Sequence, residues 1–315
     1  MSSRALIAPG LASVFTLAFA ALLPLALPAE ARGRHSTTIS TDDDEPVREC
    51  RQIHVRFDDL EAAHGEETLT IGKGEASRLT LNAPTNGGMY VEGWTRPEIA
   101  VTACTFAGAD DSKSAGAALA GVKLVREGDR VSVRGPGGDD WVAYLIVRTP
   151  RDVSVDLSAK NGPISVRDVA GTVGVNTVNG PLLIKGFQGA MKAEAQNGPI
   201  SIVNASGDVK LSAQNGPLTV KLAGTRWEGA GLEARTENGP LTLKLPERYD
   251  SGVEVESSGG PVRCTAAGFV ESGASADRYG DRHGPRKLTL GSSPAVVRLS
   301  TENGPVTVKS RPIDG

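Results

Sequence analysis

The apolar positions in the second half of the chain recur around a fixed corner. Asn-Gly-Pro occurs at Asn161, Asn179, Asn197, Asn215, Asn238 and Asn303, with Gly259-Gly260-Pro261 as a seventh variant, and the spacings are 18, 18, 18, 23, 21 and 44 residues. Six and four residues before each corner stand apolar pairs, from Val155 and Leu157 through Val173 and Val175 to Val297 and Leu299. Two residues before it comes a small side chain, such as Ala159, Thr177 or Thr301. Three and five residues after it stand a second series, from Ile164 and Val166 through Leu182 and Ile184 to Val306 and Val308. Most positions between are polar. Period two on both sides of a turn predicts two strands per repeat, each with one buried face, and the spacing of three and four that a helix needs is absent.

The corner has its own chemistry. Asn and Gly tolerate positive φ, and Pro as the first residue of a strand forfeits no ladder hydrogen bond. Near-identical side chains every 18 residues favour coils stacked in register over a meander of hairpins. The fold class expected is therefore all-β, a parallel β-solenoid (β-helix) of about 18-residue coils. The corner asparagines should form a column and exchange amide hydrogen bonds. Insertions must all enter at the opposite corner, because the offsets hold on both sides of the Asn. A short third side near Val169 and Phe187 is left open by the spacing.

Upstream, Asn86-Gly87-Gly88 is followed by Met89 and Val91 at the same offsets, whereas Leu79, Leu81 and Ala83 precede it one residue out of register. Strands are expected over 122–125, 130–133 and 141–147, and an Ala-rich stretch over 111–121 reads as a short helix. The strand–corner–strand units Val155–Val166 and Leu211–Val220, with the Val142–Pro150 segment leading into them, resemble the bacterial putative-adhesin family of β-solenoid domains, over roughly Cys50 to Lys309. That resemblance implies the solenoid fold and a surface role. It carries no catalytic residues over to this chain, and the long loop before the last coil departs from the simple repeat.

The N-terminus changes the picture of location. Arg4, an apolar run over 11–27 and Ala29-Glu30-Ala31 read as a signal peptide over 1–31, leaving an exported mature chain without a membrane span. The organisation expected is then a polar linker over 32–49, an irregular β region over 50–150 and the regular coils over 151–310, with loops at 223–230, 246–251 and 265–294. In an exported chain Cys50 and Cys104 are a candidate disulfide, while Cys264 falls at a core offset and reads as a buried thiol. The 38 glycines, 4% aromatic content and net charge of −3 over 315 residues suit a long thin aliphatic core and exclude a basic nucleic-acid binder.

Catalytic chemistry finds little to work with. His35, His54, His64 and His283 are scattered without metal spacing, and nucleophile elbows and phosphate loops are absent, so no enzyme, metal or cofactor is expected. Glu233 with Glu254, and Glu237 with Glu302, should stack on an open face beside Lys or Arg, where nothing separates their pKa values for glycosidic work. Asp58-Asp59 and Asp139-Asp140 read as turns.

Two features point to binding. Lys185, Lys221, Lys244 and Lys309, with Arg167, share one offset and form a basic column, read either as a site for anionic glycans or lipid headgroups or as a solvated face that discourages aggregation. The three loops each carry an Arg before an aromatic: Arg226-Trp227, Arg248-Tyr249 and Arg278-Tyr279. On consecutive coils they should emerge side by side, where they either cover the open corner of the core or stack on sugar rings and grip acidic groups. The function expected is an exported, non-enzymatic, adhesin-like envelope protein whose partner is an envelope or extracellular glycan. A periplasmic scaffold for an envelope protein is the alternative, and a glycan lyase or hydrolase comes third.

Overall fold

In the computed structural model, which describes residues 37–41, 47–76, 78–273, 275–276, 282–291 and 294–311, the chain builds two large sheets of 12 and 11 strands around one core. The segment 1–31, read above as a signal peptide, and the pair Arg278-Tyr279 lie outside those residues. Strands before each corner form the 12-stranded sheet, and strands after it form the 11-stranded sheet. Ser154–Asn161, Thr172–Asn179, Gln188–Asn197 and Ser206–Asn215 pair parallel, with Val155 beside Val173, Val173 beside Met191 and Met191 beside Val209. Ile164–Arg167, Leu182–Lys185, Ile200–Val203 and Leu218–Lys221 do the same. Since successive side chains alternate between faces, Val155, Leu157, Ile164 and Val166 point inward and are buried, as are their counterparts in the other corner-asparagine coils up to Val306 and Val308. The fold is the all-β parallel solenoid that the repeat predicts. Among the described residues the coils have no third side, and the remaining two sheets are two-stranded pairs outside the repeat; Val169 and Phe187 are buried in the second corner.

The first corner is a ladder. Asn161 donates its side-chain amide to Asn86 at 3.1 Å, Asn179 to Asn161 at 2.8 Å, and Asn197, Asn215, Asn238 and Asn303 each continue the column at 3.0 Å. Asn86 belongs to the column because Leu79 and Leu81 lie beside Val155 and Leu157, and the one extra residue is absorbed between Asn82 and Asn86.

The order of coils departs from the sequence at both ends. The Asn303 coil (Val297–Asn303 and Val306–Arg311) does not stack outside the Gly259 coil (Val253–Ser257 and Val262–Cys264). It fills the place between that coil and the Asn238 coil (Gly231–Asn238 and Leu241–Pro246). The expectation that the three loops belong to consecutive coils is corrected accordingly, and so is the stacking of Glu233 on Glu254: Arg298 lies between them in register. At the opposite end, Arg130–Arg134 and Trp141–Pro150 sit outside the earlier coil of Arg78–Asn82 and Met89–Trp94, which faces the Asn161 coil. Both displaced coils lack a corner asparagine, so both detours keep the ladder unbroken. As an outer rung, the Gly259 coil leaves Val262 and Cys264 only half-buried; the expectation of a buried thiol at Cys264 fails because Val262–Cys264 is the terminal strand of the 11-stranded sheet, with no strand beyond it.

The N-terminal end adds what the repeat does not show. Glu61–Gly72 and Glu98–Ala109 form a long antiparallel pair that closes the 11-stranded sheet, beside the helix Ser112–Ala120, whose first turn is capped by the Asp111 carboxylate accepting from the N–H groups of Lys113 and Ser114. Thr37–Thr41, read above as linker, is a strand paired with Ile53–Phe57. Together with Val47, Ile53 and Phe57 cover the outer face of the sheet at Tyr90, Phe106, Tyr144 and Ile146 as a second apolar cluster. The Cys50–Cys104 disulfide fastens this strap to the sheet.

Candidate functional site

The loop aromatics meet the second corner of the solenoid. This corner turns at Asp168, Gly186 and Asn204, whose φ values of 53°, 65° and 53° are left-handed and suit these three residue types. One residue on, Val169, Phe187 and Ala205 point into the core, and two further on Gly171, Gly189 and Gly207 stack so closely that a Cβ would strike the neighbouring backbone. Gly229 packs on Gly207 in the same column, which makes Trp227 the next member of the series after Val169, Phe187 and Ala205. Its ring is 7% exposed and its indole N–H donates to the Gly207 carbonyl at 3.0 Å. Tyr249 is 8% exposed, and next to it Ser251 accepts from the Trp227 backbone N–H at 2.9 Å. Burial also pushes the Tyr249 phenol well above its ordinary pKa.

Of the two readings of this edge, Trp227 and Tyr249 fit the first: they seal the corner and leave no ring face free to stack on a sugar. The arginines beside them stay outside. Arg226 is exposed and pairs with Glu228 at 2.8 Å, and Arg248 is exposed. The missed signal was in the sequence, because Val169-x-Gly171, Phe187-x-Gly189, Ala205-x-Gly207 and Trp227-x-Gly229 form one series.

The two outer faces differ in charge. On the 12-stranded sheet, acids and bases are mixed and pair: Arg78 makes a two-point contact with Asp156, Lys192 meets Glu194 at 2.8 Å, and Lys287 lies between Glu254 at 2.7 Å and Glu256 at 3.1 Å. The Arg78 hydrogen bonds hold the Asp156 carboxyl below the usual carboxylate range, opposed by partial burial. A shallow groove of about 260 Å³ crosses this face beside the Asn corner, lined by Ser158, Asn176, Glu194, Gln196, Gln214 and Glu237 among others.

The 11-stranded sheet is different. Its strands Ile164–Arg167, Leu182–Lys185, Ile200–Val203, Leu218–Lys221, Leu241–Pro246 and Val306–Arg311 contain no acidic residue. Arg167, Lys185, Val203, Lys221, Lys244 and Lys309 lie side by side in register, a basic column with one gap at Val203. A second row beside it carries Thr219, Thr242 and Thr307. Arg167 has Asp168 at 3.3 Å; Lys185, Lys221, Lys244 and Lys309 have no acidic partner within 4 Å among the described residues.

Elsewhere, His54 and His64 line a groove of about 520 Å³ between the strap and Glu61–Gly72, with Arg51, Glu66 and Phe106. No group of three or more His, Cys, Asp or Glu side chains converges as metal ligands among the described residues, and no helix among them is long and apolar enough to cross a membrane.

No protein-family model and no curated protein matches the chain. Several solved structures are similar to it. A putative cell adhesion protein from Clostridium sporogenes is 13% identical, with 79% of this chain and 100% of that one covered at a TM-score of 0.30. A putative adhesin from Bacteroides fragilis is 12% identical over 78% of this chain and 97% of that one, at a TM-score of 0.30. A putative lipid binding protein from Parabacteroides distasonis is 8% identical over 78% and 97%, at 0.33.

Proposed function

We propose that the chain is an exported, non-enzymatic, adhesin-like protein that holds to the cell envelope or to extracellular glycan through the outer faces of its solenoid. The observation that carries this reading is the pairing of a disulfide with an extended open surface. Cys50–Cys104 ties the strap to the sheet, and disulfides of this structural kind persist in oxidising compartments. Behind the strap, the coils present flat, solvent-facing sheets whose side chains repeat rung after rung, a form suited to contact along a length rather than to chemistry at a point. With Trp227 and Tyr249 in the corner, the contact belongs on these faces, with Arg226 and Arg248 at their border.

A protein partner is the second reading. Glu61–Gly72 is the outermost strand of the 11-stranded sheet and offers 12 residues for strand addition. One experiment addresses both. The exported chain is incubated with purified cell-wall and exopolysaccharide fractions, with and without protease treatment of the fractions, while Cys50 and Cys104 are probed for free thiols in fractionated cells. Retention that survives protease, with both thiols protected, is the expected result. Retention lost to protease supports the scaffold, and free thiols in a cytosolic protein overturn export.

A further inference from the structure

The basic column of the 11-stranded sheet is not accounted for by folding. Like charges directly beside one another across neighbouring strands repel. Lys221, Lys244 and Lys309 stand on three adjacent strands in register, about 4.8 Å apart, without acids to relieve them. The opposite sheet, built from the same coils, mixes the two signs: Arg298 separates Glu233 from Glu254, and where Lys192 lies beside Lys210 the Glu194 carboxylate pairs with Lys192. Protection against aggregation does not explain the column either. Charge serves that purpose on edge strands with unpaired backbone, and these strands are interior ones, paired on both sides. An anion from outside would relieve the repulsion.

We propose that this face binds a linear polysaccharide carrying a carboxylate on each sugar, lying along the solenoid axis. This rests on the surface-binding reading above and names its site and ligand class. From Arg167 to Lys309 the column spans six coils, about 24 Å at the rung spacing of a sheet. One sugar residue advances a polysaccharide by a comparable distance, so successive carboxylates meet successive rungs. The charges stand in single file, which suits a chain; a membrane would be met better by a broad patch. The hydroxyls of Thr219, Thr242 and Thr307 run beside the lysines and match sugar hydroxyls as donors and acceptors. The gap at Val203 divides the site into a shorter part at Arg167 and Lys185 and a longer one at Lys221, Lys244 and Lys309.

The test uses the whole exported chain with polygalacturonate as probe, its neutral methyl ester as control, and vesicles of anionic lipid as a third surface. One variant carries Lys185→Gln, Lys221→Gln, Lys244→Gln and Lys309→Gln; a second carries Lys160→Gln, Lys192→Gln, Lys210→Gln and Arg298→Gln on the opposite sheet, removing as much charge. Both should melt as cooperatively as the parent. The expected result is binding to polygalacturonate and not to the ester, falling with salt, weakened about tenfold or more in the first variant and about twofold or less in the second, since several exposed pairs act together. Equal losses in the two variants, equal binding to the ester, or binding to vesicles alone would overturn the proposal. If polygalacturonate fails while cell-wall material is still retained, the ligand class falls and the surface-binding reading stands; if both fail, the reading itself falls.

Discussion

Asn303 donates its side-chain amide to Asn238 at 3.0 Å across 65 residues of sequence, while the Gly259 corner, nearer in sequence, is set one coil further out. An asparagine column needs a donor and an acceptor on every rung. A glycine rung in its interior would leave an amide on each side without a partner. Stacked at the end, the same coil interrupts nothing. The coil of Arg130–Arg134 and Trp141–Pro150 obeys the same logic at the other end, where it lies outside Asn86. Side-chain chemistry at one corner thus accompanies an order of coils that chain connectivity alone would not produce.

The column can be weighed rung by rung. Asn238 both donates to Asn215 and accepts from Asn303, so Asn238→Ala should destabilise the fold by about 1–3 kcal/mol, at roughly 0.5–1.5 per hydrogen bond. Asn303→Ala loses one of those bonds and should cost about half as much. Urea denaturation of the two variants reads the difference; equal costs would mean that the amides contribute nothing beyond their local turns.

The glycine that follows each corner asparagine is held to a tighter limit. Gly216 has φ +147°, and a Cβ there would collide with the backbone of Gly198 one rung away. Gly216→Ala should therefore exceed about 4 kcal/mol, the range reserved for core disruption. Gly116, inside the helix with open space around it, is the counter-case, where Ala should stabilise by up to about 1 kcal/mol. Thermal melting of both variants decides whether close stacking, rather than glycine content, sets the requirement.

The Arg78–Asp156 contact predicts an acid-dependent term. The Asp156 carboxyl is held below its unfolded value by the Arg78 hydrogen bonds, so its contribution is present above the ordinary carboxylate pKa of ~3.9 and is lost as pH falls through the lower folded value. Asp156→Asn should reduce stability at neutral pH, and its stability should converge on that of the parent in strong acid. Parallel stability curves down to low pH would show that the pair adds nothing.

Much of this architecture was legible in the sequence, because a solenoid writes the same contacts into every repeat. Val155, Val173 and Met191 announce one inward column, and the asparagines announce their ladder. What was not legible lay where neighbours in space are not neighbours in sequence. Nothing in a spacing of 44 residues says that Asn303 enters between Asn238 and Gly259, and the strap over Tyr90 and Tyr144 belongs to no repeat. The charge column was visible; that Lys221, Lys244 and Lys309 stand on adjacent rungs required the inserted coil. Trp227 was left between two readings for a different reason, since insertion length drew attention from the Gly229 that places it in the column of Val169 and Phe187.

That column gives Trp227 a structural cost. Trp227→Ala removes a buried ring and its hydrogen bond to Gly207, which should destabilise by about 3–5 kcal/mol, whereas Arg226→Ala, at an exposed side chain paired with Glu228, should leave stability close to that of the parent. Calorimetry separates the two. A Trp227→Ala variant as stable as the parent would return the ring to the surface and to ligand stacking.

The inserted coil is an interior part of the fold. In a solenoid whose last coil is outermost, removing it moves the open end back by one rung and leaves a single fresh edge. Here, truncation after Pro294 removes Val297–Asn303 and Val306–Arg311 from between two coils. Gly231–Asn238 and Leu241–Pro246 lose their partners on one side, and the Gly259 coil loses its only parallel neighbours. The exposed strands are apolar on their inner face and lack the inward charges that blunt edges. The truncated chain should therefore self-associate, and protease should cleave it first between Pro246 and Leu290 while the coils from Asn86 to Asn215 stay protected. Light scattering and limited proteolysis test this; a monomer with an unchanged cleavage pattern would mean that the last coil is a dispensable cap.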